Sequence, residues 1–210
     1  MSIFKIIFIF LSLISLISCS ASYEELMKSK FETQDEFSEY LLLAYKEKAE
    51  FEAKEMHDWN SAKLYSEKAL KAVKGHKILP QNINYWNIPS NEINSISEKR
   101  LGLIKAYNDL MIVYDNALLL DPFNLAKAIS SLDCWSEQEE EIWQTWDIKK
   151  CRDDYLDAMH ALYNAIAENQ KKDIKEINND LNINQSSSDS ASIVTQNNND
   201  EILQIIYFDF

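Results

Sequence analysis

The residue whose chemistry stands out in this chain is Cys19, a thiol that directly follows an apolar segment. The segment runs from Ile6 to Ile17 and comes after a short N-terminal stretch that carries Lys5. A basic start followed by an apolar run of this length is typical of a secretory signal, and the run is short for a span of the bilayer. The sequence therefore predicts that the protein is exported.

The four residues that end at this thiol, Leu16-Ile17-Ser18-Cys19, resemble the lipobox of bacterial lipoproteins. The resemblance implies that diacylglycerol is attached to Cys19 and that the signal peptide, residues 1–18, is cleaved between Ser18 and Cys19. Two or more acyl chains anchor a protein stably to a membrane. By the sorting rule of diderm bacteria, Ser20 in place of an aspartate favours the outer membrane. The alternative is an ordinary signal peptide followed by a chance cysteine.

The two remaining thiols, Cys134 and Cys151, are expected to form a disulfide. An oxidising compartment favours the bond once Cys19 carries lipid. The cysteines are 17 residues apart, and closing a loop of that length contributes about 3 kcal/mol in the chain-entropy model. The alternative is a reactive or metal-binding pair, although no nearby histidine or third cysteine completes a zinc set.

No other residues show a spacing typical of catalysis. With only two glycines in the chain, a glycine-rich phosphate loop is excluded. The three histidines lack the spacing of metal ligands and are expected at the surface or at helix ends: His57, His76 and His160. We therefore predict no catalytic site, no metal site and no cofactor, and we expect that the protein is not an enzyme. A wall-processing enzyme with an unrecognised site is the alternative.

Two local clusters have a structural and a functional interpretation. The acidic run from Glu137 to Glu141 is interpreted as a solvated helix face, with cation or partner binding as the alternative. Trp135, Trp143 and Trp146 are expected in the core of a hairpin, with a carbohydrate-stacking platform as the alternative.

Composition predicts an all-α fold and excludes some partners. The chain has 210 residues, with only 2 glycines and 3 prolines, whereas sheet-rich folds need glycine at turns and bulges. Its net charge of −13 should repel nucleic acid and anionic lipid surfaces. Five tryptophans and ten tyrosines indicate a hydrophobic core.

Residues 34–168 carry the periodicity of about five helices, arranged as antiparallel hairpins with a weak similarity to tetratricopeptide spacing. Asp58 and Asp121 are predicted to cap helices, and Gly75 to end one. Residues 19–33 are interpreted as a tether. The irregular connector after Gly75 is expected to fill a groove between helices, and Tyr85 and Trp86 are its candidate contacts with a partner.

The C-terminal part changes character twice. Residues 169–201 are polar and rich in Asn, Ser and Gln towards their end, which predicts a disordered linker, although Lys171 to Leu181 could continue as a charged helix. Residues 202–210 are mostly apolar and end in Tyr-Phe-Asp-Phe, which predicts a single strand. An isolated strand has no sheet to join.

That ending resembles the first strand of the OmpA-like peptidoglycan-binding domain. The segment Leu132-Asp133-Cys134-Trp135-Ser136-Glu137-Gln138-Glu139-Glu140, followed by Ile148-Lys149-Lys150-Cys151-Arg152, resembles the N-terminal helical region of some OmpA-family outer-membrane lipoproteins. The same region is resembled by two further segments, Phe51-Glu52-Ala53-Lys54-Glu55-Met56-His57-Asp58-Trp59 and Ser66-Glu67-Lys68-Ala69-Leu70. The resemblance implies a family member truncated at its first strand. The later Asp and Arg that bind peptidoglycan in that family have no counterpart, so wall binding is not expected.

Together these features predict a non-enzymatic, lipid-anchored protein on the periplasmic side of the outer membrane, in which the helical domain is a spacer or docking module. The expected partners are the membrane, through the lipid, and an envelope protein; nucleic acid is not expected. The alternative is a soluble periplasmic helical-repeat protein that binds a peptide or a protein.

Overall fold

The computed structural model describes residues 21–89 and 98–185, with side chains as far as Lys175, and it is all-α in those residues. This confirms the predicted fold class of antiparallel helical hairpins. The six α-helices are α1 Ala21–Lys28, α2 Glu36–Phe51, α3 Trp59–Val73, α4 Glu98–Leu120, α5 Pro122–Glu141 and α6 Thr145–Gln185. No helix in the described residues is both long enough and apolar enough to cross a membrane.

Helix α1 lies inside the segment that was interpreted as a tether, residues 19–33. Its Leu26 is fully buried, and Tyr23 packs edge-on against Trp59 with ring centroids 5.7 Å apart. Eight residues are too few to show a helical period, so the helix was missed in the sequence. Burial of one leucine against α3 gives this segment a fixed position.

Helices α2 and α3 form a hairpin, and α3 begins and ends at the residues that were predicted to cap it and to end it. Asp58 caps α3 and accepts hydrogen bonds from the backbone N–H groups of Asn60 and Ser61 at 2.7 and 3.1 Å. Gly75, with φ of +73°, follows its last turn. At the other end, α2 continues into one π-helical turn, Glu52–Met56, before the left-handed His57.

The connector between α3 and α4 fills the space between helices, as expected. Ile78, Ile83, Trp86 and Ile88 are all buried. The backbone is held as well, because the hydroxyl of Tyr114 on α4 donates to the carbonyl of Ile78 at 3.3 Å. A short 3-10 turn, Ile83–Tyr85, exposes Tyr85.

Helix α5 lies at the centre of the core. Asp121 caps it by accepting from the N–H of Asn124 at 3.0 Å, and Pro122 occupies its first turn, as predicted. It packs against α2 and α4, and it runs antiparallel to α6, where Trp135 contacts Tyr155 with ring centroids 6.0 Å apart. A helix with neighbours on several sides buries its polar residues too.

Helix α6 is longer than expected, because residues 169–185 of the predicted linker continue it to Gln185. This stretch holds neither proline nor glycine, so nothing in its backbone ends the helix. The chain divides into two compact units after Asn169. The sites described below lie in the first unit, and residues 186–210, with the predicted strand, lie outside the described residues.

Candidate functional site

The predicted lipidation site, Cys19, and the residue before it, Ser18, lie outside the described residues, whereas the other two cysteines are placed. Cys134 on α5 and Cys151 on α6 are joined by a disulfide, with Cα atoms 5.6 Å apart. That separation is within the usual range for a disulfide. The bond lies in the interior and ties the two helices of this hairpin together.

The acidic run on α5 is not a solvated face, so that interpretation was wrong. Glu137, Gln138 and Glu139 are nearly inaccessible, with exposed fractions of 2%, 0% and 6%. The reason is the position of α5, whose final turns are enclosed by neighbouring segments. One neighbour is Ser61 on α3, which donates to Oε1 of Glu137 at 2.8 Å.

Four carboxyl groups meet at this end of the helical unit, and we call them the carboxylate cluster: Glu52, Asp58, Glu137 and Glu141. Oxygens of Asp58, Glu137 and Glu141 all lie within 4.8 Å of one another. Glu52 comes from the π-helical turn and is 2% exposed. Since the four residues come from three separate segments, only the folded chain brings them together.

Each buried member of the carboxylate cluster favours its protonated form. Burial, and after it the charges of Glu137, Glu141 and Asp58, together raise the pKa of Glu52 to about 9. Burial also raises the pKa of Glu137 to about 8, although hydrogen bonds from Ser61 and Gln138 oppose the rise. The dominant cause is the loss of water around a charge.

The pKa of the more accessible Glu141 is raised as well. The carboxyl groups of Glu141 and Asp58 are in hydrogen-bond contact. Burial is the largest cause of the raised pKa of Glu141, and the charge and hydrogen bond of Asp58 raise it in the same direction. A hydrogen bond between two carboxyl groups requires that one of them holds a proton, because ionised carboxylates have only acceptors. Asp58 and Glu141 are partly exposed, which leaves the carboxylate cluster reachable from solvent.

A second buried polar group lies deeper, around Asp133 on α5. Its carboxylate accepts from the hydroxyl of Tyr45 and from the N–H of Gln81, both at 2.6 Å, and it forms an ion pair with Lys68. Lys68 also donates to the carbonyl of Leu79 at 3.0 Å. Because each partner is satisfied within the protein, this network holds the connector against α3 and α5.

A groove opens between α2, α5 and α6, and we call it the α2–α5–α6 groove. It has a volume of about 390 Å³. The lining combines aromatic and apolar side chains with charged ones: Tyr40, Leu43, Ala44, Glu47, Lys48, Phe123, Ala126, Lys127, Ser130, Ser131, Lys150 and Asp154. Leu43 and Phe123 are 55% and 54% exposed, and the rings of Tyr40 and Phe123 pack edge-on at 5.3 Å.

The structure separates the aromatic residues that the sequence grouped together. Trp86 is buried in the core, so only Tyr85 of the predicted partner pair reaches solvent. Trp135 is buried beside the disulfide as expected, but Trp143 and Trp146 are 70% and 58% exposed and do not belong to the core. The three histidines are all exposed, as predicted.

The sequence did not reveal either the carboxylate cluster or the α2–α5–α6 groove as a site. Members of the cluster are separated by up to 89 positions, from Glu52 to Glu141, and each stands among other acidic residues. One signal was available, since the acidic run lies directly beside Trp135 in a stretch that was expected to be core. No family model, curated protein or solved structure matches this chain.

Proposed function

We propose that this protein is a non-enzymatic, lipid-anchored component of the cell envelope whose helical domain docks a partner protein. The lipobox-like ending at Cys19 supports the anchor. The observation that carries the docking role is the α2–α5–α6 groove, in which exposed Phe123 and Leu43 lie beside three lysines in a chain of net charge −13. The OmpA-family relationship is part of the same proposal.

The charges of the α2–α5–α6 groove favour an anionic occupant. Burial and then the charge of nearby Lys150 lower the pKa of Lys48, whereas Asp154, Glu47 and Asp147 act in the opposite direction. Asp154 pairs with Lys127 at 3.5 Å and with Lys150 at 2.8 Å. Lys48 has no ion-pair partner among the described residues, and a carboxylate in the groove would relieve its repulsion with Lys150.

The occupant that fits is an acidic peptide segment with an apolar anchor, presented by another envelope protein. Phe123 and Leu43 offer apolar contact, and the lysines of the groove offer charge-assisted hydrogen bonds. A purely apolar ligand would make no charged contact with Lys48. The net charge of the chain is −13, which disfavours binding of such a segment elsewhere, so the lysines direct it to this groove.

In-cell photo-crosslinking tests the docking role. A photoreactive amino acid at Leu43 should give a discrete crosslinked product, and the same amino acid at Ile112 on α4, which is 79% exposed and outside the groove, should not. Lys150→Glu, introduced into the protein with the photoreactive amino acid at Leu43, should remove the crosslinked product, because the new carboxylate repels an acidic partner segment. Lys63→Glu, on α3 and outside the groove, is the matched control and should leave it unchanged.

Equal crosslinking from Leu43 and Ile112, or a product that is insensitive to Lys150→Glu, would show that the groove is not a docking surface. A carbonate wash of membranes separates the proposal from a soluble periplasmic binding protein. The anchored protein should stay with the membrane, whereas a soluble one should be released.

A further inference from the structure

The carboxylate cluster brings several acidic side chains together at short range. Oxygens of Asp58, Glu137 and Glu141 lie within 4.8 Å of one another. The charged neighbours that act most strongly on Glu52 are all carboxylates: Glu137, Glu141, Asp58 and Asp147. Like charges this close disfavour ionisation of the whole group unless a proton or a cation lies between them.

Glu52 provides a second, independent indication. Its side chain is 2% exposed, and its Oε2 has no hydrogen-bond partner among the described residues. An unpartnered buried oxygen costs free energy, and such groups are rare in folded proteins. Glu52 also begins the π-helical turn at the end of α2, a local irregularity that is frequent at functional sites.

The ligand residues are held in place by neutral donors. Ser61 donates to one oxygen of Glu137, and Gln138 donates to the other, both at 2.8 Å. Asp58 is fixed as the cap of α3. Outer contacts of this kind orient carboxylate ligands without neutralising them.

We propose that the carboxylate cluster is a binding site for a hard divalent cation, with Ca²⁺ as the preferred ion. Asp58, Glu137 and Glu141 are the direct ligands, and Glu52 lies beside them on the π-helical turn as an outer acidic group. Carboxylate oxygens without nitrogen or sulfur donors suit Ca²⁺, Mg²⁺ and Mn²⁺. Ca²⁺ tolerates irregular geometry and a high coordination number, whereas Mg²⁺ demands a near-octahedral site.

The cation would enter from the side of Asp58 and Glu141, which are partly exposed. It would tie the end of α5 to the start of α3 and to the π-helical turn. This inference is independent of the docking role, because none of its four residues lines the α2–α5–α6 groove. Either proposal can therefore fail without the other.

Titration calorimetry of the chelator-treated protein with CaCl₂ at pH 7.5 tests the site. One Ca²⁺ should bind per chain, and the melting temperature should rise with Ca²⁺ more than with the same concentration of Mg²⁺. Asp58→Asn should weaken binding at least about tenfold, because the variant loses a charged ligand and keeps a good helix cap. Asp121→Asn, the equivalent change at the cap of α5, is the matched control and should bind like the wild type.

Glu52→Gln keeps the test decisive if removal of a ligand disturbs folding. Glutamine resembles the protonated acid, so the metal-free variant should melt at or above the temperature of the wild type while its response to Ca²⁺ falls at least about tenfold in affinity. Absence of Ca²⁺ binding to the wild type at millimolar concentration would overturn the proposal. Binding that survives in both Asp58→Asn and Glu52→Gln would overturn it too, because the ion would then sit on the acidic surface elsewhere.

Discussion

At the scale of single residues, the environment of a side chain matters more than its type in this protein. Glu52 and Glu55 lie on the same π-helical turn, yet Glu52 is buried and Glu55 is exposed. Burial raises the pKa of Glu52 to about 9. The two residues therefore allow a comparison, within one turn, of a solvent-exposed carboxyl group with a buried one.

The metal-free protein should lose stability as pH rises from 6 to 9. The pKa of Glu52 is about 9 in the folded chain, against 4.5 for the ordinary group, and that of Glu137 is about 8. A raised pKa in the folded state means that the folded state binds more protons than the unfolded state. The resulting stabilisation is complete below about pH 4.5 and is lost as the pH rises through the folded pKa. Neighbouring Glu141, Asp58 and Asp147 act in the same direction on Glu52.

Glu52→Gln should flatten this pH dependence by about 4 kcal/mol between pH 6 and pH 9, since glutamine does not ionise. Urea unfolding in chelator at pH 6 and pH 9 measures the change. Glu55→Gln, on the same turn and exposed, should leave the slope as in the wild type. A wild-type stability that is equal at both pH values would contradict the prediction.

The ion pair between Lys68 and Asp133 should be costly to break. Their side chains are only 8% and 1% exposed, so Lys68→Met leaves a buried carboxylate without its cation and should cost about 3–5 kcal/mol. The exposed pair of Lys149 with Asp153 is the control, and Lys149→Met should cost less than about 1 kcal/mol. Denaturant unfolding compares the two variants, and equal losses would show that the Lys68 pair is not desolvated.

At the scale of helices, single residues with a direct backbone role predicted the boundaries well. Asp58 and Asp121 accept from the first free N–H groups of α3 and α5, and Gly75 adopts the left-handed conformation that ends a helix. Such signals act locally, so a sequence reveals them. Helix α1 was missed because its position depends on Leu26 packing against another helix.

The burial of Glu137 could not be predicted for a related reason. A run of acidic residues has the composition of an exposed face, and only the packing of other helices around α5, such as α3 with Ser61 and α4 with Lys99, encloses it. The same holds for Lys48 and Phe123, which line one groove from two helices distant in sequence. Contacts between helices therefore decide the candidate sites, whereas local patterns decide the helices.

The disulfide between α5 and α6 should stabilise the hairpin by about 3 kcal/mol, because it closes a loop of 17 residues in the unfolded chain. Urea unfolding with and without reductant measures the contribution. The Cys134→Ala/Cys151→Ala variant should unfold at the midpoint of the reduced wild type and should not respond to reductant. If reductant shifts this variant as much as the wild type, the bond is not the cause.

At the scale of the whole molecule, the proposed lipid anchor is close in sequence to the folded domain. Cys19 lies only two residues before the start of α1 at Ala21. Two residues span at most about 7 Å, so a lipid on Cys19 would hold the helical domain directly at the membrane surface. A docking module placed there would meet partners within the envelope and would not reach far from the membrane.

Lipidation at Cys19 is the prediction on which this placement depends. Cells that express the wild type and are fed an alkyne analogue of palmitate should yield a labelled protein, and Cys19→Ala should abolish the label because no other thiol follows a lipobox-like sequence. The Cys134→Ala/Cys151→Ala variant controls for acylation at other cysteines and should label like the wild type. Intact-mass spectrometry should also show the loss of residues 1–18. Equal labelling of Cys19→Ala, or a mass that still includes those residues, would leave the helical domain without its anchor and remove the reason to place it at the outer membrane.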